Sequence, residues 1–364
     1  MKIELLVGAQ EFWDRMKEDL AQARNSAYIQ TFSFEGDRVG RKLTRALHAA
    51  DAADRRLLVD SYSLLYHSDR IIPGPSWTDK ALRREVKLTH RWIRHLRDDG
   101  VGVRFGNPLG PWPTRLIRRS HKKVAAFDRR VVYLGGINFS EHNFAWHDMM
   151  LRVESPELAS LASDDFVASW DGRPRAFDRE IGPLRFISLN GRGNAEGFRP
   201  LIEAIEGARR SIDVVSAYLS HPFTDFLAEA RRRGVRVRVL MPGRNNKSNL
   251  ARHILERASR GGFEVLRYPG GMSHMKAMTI DDELLVVGSS NFDFMSYHIL
   301  EEHVVMTRDP EIVDAYLRRV WRPDTRRACV DPGHSSIGTR LGDLAVRLGA
   351  AVATILARPQ GGTA

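Results

Sequence analysis

Two stretches carry the same four side chains at the same spacing: His121, Lys123, Asp128 and Asn138, then His274, Lys276, Asp281 and Asn291. From each histidine the lysine lies two residues on, the aspartate seven and the asparagine seventeen. Any one of these residue types occupies a given position with a chance of about one in twenty. A lone His/Lys/Asp triple can therefore be an accident; two matching quartets cannot. An imidazole, an ammonium and an amide on one face suit phosphate. Lysine supplies charge and asparagine a neutral donor, and together they stabilise the extra negative charge of five-coordinate phosphorus. Histidine, titrating near neutrality, can attack phosphorus or hand a proton to a leaving alcohol. Two such faces would set a histidine on either side of one phosphate, one attacking in line and the other serving as acid, then base. This chemistry calls for no metal and no cofactor. Asp128 and Asp281 are counted with the catalytic groups, and the alternative of a turn residue stands beside that reading.

Strands must position these groups. Residues two apart on a strand share a face, so each His and Lys point the same way. Val124–Phe127 and Ala277–Ile280 are apolar enough to continue each strand inward, and Asp128 or Asp281 then opens a tight turn. The returning strands end at Gly135-Gly136-Ile137-Asn138 and Gly288-Ser289-Ser290-Asn291, where glycine lets the backbone turn and present the amide.

The repetition extends beyond the quartets. Ala23–Ile29 matches Ala208–Val214, and Asp148–Pro156 parallels Glu302–Pro310. A repeat of over a hundred residues indicates two homologous domains rather than a solenoid. Phe12–Ala23 and Phe198–Ala208 read as amphipathic helices; Arg56–Val59, Val131–Leu134, Val235–Leu240 and Leu284–Val287 read as strands. The alternation predicts an α/β fold with mixed sheets. Expected boundaries are residues 1–172 for the first domain, 173–184 for a linker marked by prolines and glycines, 185–327 for the second domain, and 328–364 for a tail. Ser26 to His121 spans 95 residues against 63 for Ser211 to His274. Part of the surplus falls within Ser63–His95, with Pro73, Pro75, Trp77 and Trp92, and the rest is Gly106–Arg119, with Arg115, Arg118 and Arg119. Both insertions are expected to shape a substrate pocket.

Composition narrows the partners. At 364 residues, 56 Lys+Arg against 45 Asp+Glu give +11, a balance that favours anionic partners such as acidic lipid or nucleic acid. Cys329, the single cysteine, excludes an intrachain disulfide and a cysteine zinc site, and is expected as a buried thiol. The first residues lack the pattern of a signal peptide, and no apolar run approaches the ~18 residues that span a bilayer. In the tail, Leu341, Leu344, Leu348, Val352 and Ile355 form one helical stripe beside Arg340, Arg347 and Arg358. That stripe fits docking on the protein's own surface, or on an anionic membrane. The expectation is a cytoplasmic protein, peripheral at the inner face of the membrane.

The two quartets resemble the H-K-D motifs of the phospholipase D superfamily, from about Met1 to Arg327. Within it the chain is most similar to bacterial cardiolipin synthases of the phospholipase D type. Their R-N-H-R-K-x-x-V-x-D and G-G-x-N correspond to Arg119-Ser120-His121-Lys122-Lys123 through Asp128 and to Gly135-Gly136-Ile137-Asn138. Trp146-His147-Asp148 resembles W-R-D, and Thr31-Phe32-Ser33-Phe34 with Asp37 resembles T-Y-x-F-x-x-D. Asn291 through Ser296, ending at Glu302, resembles N-x-D-x-R-S with L-N-x-E, although Met295 stands for the usual Arg, Leu300 for Asn and Ser120 for the first motif's Asn. The resemblance implies two homologous α/β/α domains with pseudo-twofold symmetry, an active site in the interdomain cleft, and a phosphohistidine with His121 as nucleophile and His274 as acid/base. It also implies supporting acids at Asp148 and Glu302, which with Asn138 and Asn291 would contact substrate.

The function so implied is phosphatidyl transfer, two phosphatidylglycerols giving cardiolipin and glycerol. The substrate would be an anionic phospholipid, and one chain with two motifs would suffice for one site. A phospholipase D differs only in using water as the acceptor. A metal-independent nuclease would call for stacking aromatics along a basic groove, and the tryptophans here are scattered. A lipid- or DNA-binding pseudoenzyme would have to explain two undamaged quartets.

Overall fold

The computed structural model describes residues 1–71, 78–110, 116–333 and 335–357. Pro73, Pro75, Trp77, Arg115 and Arg358 lie outside the described residues. The chain divides into two compact units, one holding residues 1–71, 78–110 and 119–175, the other 116–118, 176–333 and 335–357.

Unit 1 runs β1 (Lys2–Val7), α1 (Ala9–Gln22), β2 (Ser26–Thr31), α2 (Arg38–His48), β3 (Asp54–Asp60), β4 (Tyr66–His67), β5 (Arg70–Ile71), α3 (Lys80–Asp98), β6 (Gly102–Gly106), β7 (Val124–Phe127), β8 (Val131–Gly135), α4 (Glu141–Ala145), β9 (Met149–Glu154) and α5 (Pro156–Trp170). Its main sheet has the order β1-β9-β8-β7-β2-β3-β6, with β2, β3 and β6 parallel and the other pairs antiparallel. Apolar residues four apart make the helices amphipathic: Phe12, Met16 and Leu20 on α1, Val39, Leu43 and Leu47 on α2. These join Ile29, Leu57, Val59 and Phe127 in one core. The neighbouring strand residue, Tyr28, faces the other way and stacks on Phe166 of α5, ring centroids 4.8 Å apart. Helices thus cover both faces of the sheet.

Unit 2 contains β10 (Phe177–Ile181), β11 (Leu184–Asn190), α6 (Arg199–Glu206), β12 (Ser211–Ser216), α7 (Phe223–Arg232), β13 (Arg236–Pro242), α8 (Ser248–Gly261), β14 (Glu264–Tyr268), β15 (Lys276–Ile280), β16 (Leu284–Gly288), α9 (Phe294–His298), β17 (Glu301–Thr307), α10 (Pro310–Tyr316), β18 (Cys329–Asp331) and α11 (Ile337–Ala357). Its sheet order is β10-β11-β17-β16-β15-β12-β13-β14-β18. Without the outer strands β10 and β18, this is the order and direction of the first sheet, strand for strand. The duplication read from the residues is a duplicated α/β/α fold.

Two expectations are corrected, on residues 173–184 and on Cys329. Residues 173–184 are not a linker: Phe177–Ile181 forms β10, paired with β11, and the Gly182-Pro183 that suggested a linker turns this hairpin. In the stretch after 327, β18 pairs with β14 and α11 lies along α8, so its helix packs on unit 2 itself. Cys329 is exposed, because β18 is an edge strand with a neighbour on one side only. The surplus within Ser63–His95 precedes α3, the counterpart of α8: it begins after Asp60, where unit 2 passes from β13 to α8 in a short loop.

Candidate active site

In both units the functional side chains gather at the carboxyl edge of the parallel strands, where open α/β sheets offer ligands a place. In unit 1, β2 and β3 end at Thr31 and Asp60, and β7 starts opposite Gln30, so His121 and Lys123 enter from that edge. Asn138 follows the end of β8, and Asp148 directly precedes β9. His274, Lys276, Asn291 and Glu302 occupy the matching places on β15, β16 and β17. All eight are buried.

The lysines confirm the shared face. Lys123 Nζ donates to its own His121 carbonyl at 2.6 Å. Lys276 Nζ makes the same bond to the His274 carbonyl and lies 2.9 Å from both ring nitrogens of His274. Each ring also meets an aromatic edge: Phe32 against His121 with centroids 5.1 Å apart, Tyr218 against His274 at 5.9 Å. Asn138 Oδ1 accepts from Thr31 Oγ1 and Phe32 N, both at 3.3 Å, and its Nδ2 donates to Asn143 Oδ1 at 3.3 Å. This ties the amide to the end of the central strand.

The acids occupy one structural position by two different means. Asp148 lies against Gly136, where an added Cβ would stand 2.4 Å from Oδ1, so only glycine admits the carboxylate. In unit 2 the matching residue is Ser289, and the acid is longer by one methylene. Glu302 accepts from Ser289 Oγ at 2.5 Å and from Ser296 Oγ at 2.9 Å. Asp293, which caps α9 through Ser296 N at 2.8 Å, is pushed up to about 7 by burial and by the charge of Glu302.

Asp128 and Asp281 are not brought into these clusters. They sit at the opposite end of the sheet, about 17 Å away by the rise of β2. Asp128 accepts from the backbone N–H groups of Arg24, Asn25 and Ser26 at 2.7–2.9 Å, and Asp281 from those of Arg209, Arg210 and Ser211. Burial pushes both carboxyls up, but these N–H groups outweigh it and hold them below the ordinary aspartate value. Each secures the turn between a helix and the central strand, the turn-residue alternative.

The first insertion reaches the unit 1 cluster. Tyr62 stacks on Phe32 at 5.7 Å and Tyr66 on Tyr62 at 5.4 Å, an aromatic shelf running away from His121. Arg119 is buried against Asp60, 3.1 Å away, and Ser120 N donates to the same carboxylate at 2.7 Å. Sequence reasoning had Gly136, Ser289 and Ser296 within its motifs but not as partners of the acids, and it passed over Asp60. The spacing of Gly136 and Ser289 within the repeat was the available signal for the first three; nothing marked Asp60. Among the described residues, no group of three His, Cys, Asp or Glu side chains is arranged to hold a metal ion.

Comparison with known proteins gives consistent matches. Residues 16–170 and 201–322 match the family described as cardiolipin synthase, PLD-like domain. Cardiolipin synthase B of Escherichia coli (strain K12) is 26% identical over 336 residues, covering 84% of this chain and 76% of that protein. Cardiolipin synthase A of Pseudomonas syringae pv. syringae (strain B728a) is also 26% identical, covering 85% of this chain and 66% of its own length. Among solved structures, phosphatidylserine synthase of Haemophilus influenzae Rd KW20 aligns with a TM-score of 0.70 at 14% identity, over 97% of this chain and 95% of that one. Polyphosphate kinase from Porphyromonas gingivalis aligns at 0.61 and 14% identity, over 96% of this chain and 53% of its own. At such identity both speak to the fold alone.

Proposed function

We propose that this chain, which belongs to the family of cardiolipin synthase, PLD-like domains, joins two phosphatidylglycerols into cardiolipin and glycerol through a phosphohistidine. Membership makes it an enzyme of the phosphatidyltransferase and phosphodiesterase type with a cardiolipin synthase-like role. The observation that carries the finer reading is the recurrence of one buried arrangement, His, Lys, Asn and a carboxylate at the same sheet edge, in both units. The aromatic shelf beside His121 adds an apolar surface suited to the glycerol-ester part of a lipid.

His121 forms a bond to the phosphorus of the first phosphatidylglycerol as the bond from phosphorus to the terminal glycerol oxygen breaks. His274 protonates that oxygen, and glycerol leaves. The same imidazole then takes the proton from a hydroxyl of the second phosphatidylglycerol, whose oxygen attacks phosphorus and releases His121. Lys123, Lys276, Asn138 and Asn291 carry the negative charge that develops on the non-bridging oxygens. Asp148 and Glu302 balance the positive charge that the histidines acquire. Both motifs lie in one chain, so a monomer suffices.

The purified protein incubated with phosphatidylglycerol vesicles should yield cardiolipin and glycerol in equal amounts by mass spectrometry. His121→Ala and His274→Ala should each lower the rate by about a thousandfold or more. Phosphatidic acid as the only product would replace transfer with hydrolysis. No lipid product at all would overturn the reading.

A further inference from the structure

We infer that the outward face of α11 docks on an anionic lipid surface; this rests on the reading of the substrate as a membrane phospholipid. Ile337, Leu341, Leu344, Leu348, Val352 and Ile355 are between 52% and 78% exposed. Nine large apolar side chains are exposed among the described residues, and these six lie on one helix. At 100° per residue they fall within a stripe about 80° wide and about 27 Å long. A straight apolar line of that length on a helix matches a planar interface better than a pocket.

The sequence reading expected a stripe that docks either inward or on a membrane. α11 does dock on its own protein, but by the opposite face, and polar contacts fix that choice. Thr339 Oγ1 donates to the buried Glu256 at 2.7 Å, and Asp343 lies 2.9 Å from the buried His253. Gly342 passes so close to α8 that an added Cβ would stand 2.5 Å from the Cβ of Arg252. Val346, Ala350 and Ala353 complete the buried face. Rolling the helix to bury its leucines would abandon both polar pairs, so the apolar stripe is held toward solvent. Arg340 and Arg347 are exposed along one flank, whereas Asp343, the only acid in Ile337–Ala357, is buried on the inner face, where Arg347 reaches it at 3.9 Å. Anionic headgroups answer those arginines. A second copy of the same face would set arginine near arginine with no exposed carboxylate of the helix to meet it.

The test uses the full chain and two variants, L341Q/L344Q/L348Q and R340E/R347E, compared by co-sedimentation with phosphatidylglycerol vesicles and with neutral phosphatidylcholine vesicles. The wild type should bind the anionic vesicles, and each variant should bind them at least about tenfold more weakly. Thermal melting should be unchanged in the leucine variant, since its substituted side chains are exposed, and a small drop in R340E/R347E would report loss of the 3.9 Å approach of Arg347 to Asp343. Turnover of dispersed short-chain phosphatidylglycerol should survive in both variants, because no membrane is then involved. Undiminished vesicle binding by the leucine variant would overturn the inference. So would a wild-type dimer that this variant dissolves, because a second copy would then cover the stripe. Loss of vesicle binding in the variants, with no wild-type turnover of either lipid form, would leave the docking face standing and remove the catalytic reading instead.

Discussion

Asp128 and Asp281 separate what a motif contains from what a site uses. Each completes the H-x-K-x-x-x-x-D pattern, yet each carboxylate is occupied by three backbone N–H groups at the far end of the sheet from the histidine. Both also sit at positive φ, 54° and 57°, opening three-residue hairpin loops in which Arg129 and Asp282 follow at 52° and 56°. Aspartate suits that position because its short side chain can bond the neighbouring backbone while tolerating the left-handed conformation. Asp128→Ala should therefore lower stability by about 1–2 kcal/mol, as the N–H groups fall back on water, and should leave kcat on phosphatidylglycerol within about twofold at a temperature where the variant is folded. Denaturant melts and initial rates on one preparation decide the matter. A rate loss like that of His121→Ala, with an unchanged melt, would return the aspartate to the catalytic groups. The histidines, lysines, asparagines and the two acids were legible in the residues because the repeat aligned them. The partners of those acids were not: a glycine in one copy and a serine in the other look unrelated until the Asp-for-Glu difference of one methylene is placed beside them.

Lys122 shows how an element is held. It lies between the two site residues of its stretch and points the other way, as strand alternation requires, into contact with Asp165 of α5 at 2.7 Å. Both side chains are fully buried, so neither charge has water to fall back on. The second repeat has Met275 at this position, equally buried and apolar. One fold thus solves the same contact with an ion pair and with a hydrophobe. Lys122→Met alone should cost about 3–5 kcal/mol by stranding the Asp165 charge, whereas Lys122→Met with Asp165→Leu should recover most of that. Chemical unfolding of the three proteins tests it; a single variant as stable as the double would show that the pair contributes nothing to holding α5. Legibility differed among elements for physical reasons. Long amphipathic helices and apolar strands declared themselves by period. Gly182-Pro183 was misread because a hairpin turn and a linker use the same residues, and only pairing partners distinguish them. The orientation of α11 was also beyond a hydrophobicity pattern, since its docking face is made of threonine, aspartate, glycine and alanine.

Across the whole molecule, buried and half-buried carboxyls whose affinity for protons rises on folding set the response to pH. In unit 1 burial and the Glu35 charge push Glu85 up to about 7, and burial pushes Asp37 up to about 6 against the N–H groups of Gly40, Glu141 and Val39. Glu85 accepts from Ser68 Oγ, and His142 lies 3.5 Å from Glu35 and 3.9 Å from Asp69. Burial works against the charge of His142, but the bond and charge of Glu35 win and raise it, while burial lowers His67. In unit 2 Asp293 is pushed up to about 7. A carboxyl raised above its unfolded value binds more protons when folded, so its contribution is favourable near pH 5 and is lost as pH climbs toward 7. His142, also raised, acts in the same direction, and three histidines that burial lowers, His67, His298 and His253 (the last to about 4), oppose it. Asp128 and Asp281 are depressed, and their contribution disappears only as pH falls through the acid range below about 4. Surface repulsion among the excess cations grows in acid too, but salt screens exposed charges beyond about 8 Å, and the buried groups prevail between pH 5 and 7.5. The midpoint of thermal unfolding should therefore fall as pH is raised across that window. Glu85→Gln, which keeps the Ser68 bond and removes the charge, should raise the midpoint at pH 7.5 and leave it nearly unchanged at pH 5. Calorimetric scans of both proteins at the two pH values are the measurement. Equal shifts at both would mean that Glu85 acts by packing alone, and the titration of this buried cluster would have no part in the stability of the chain.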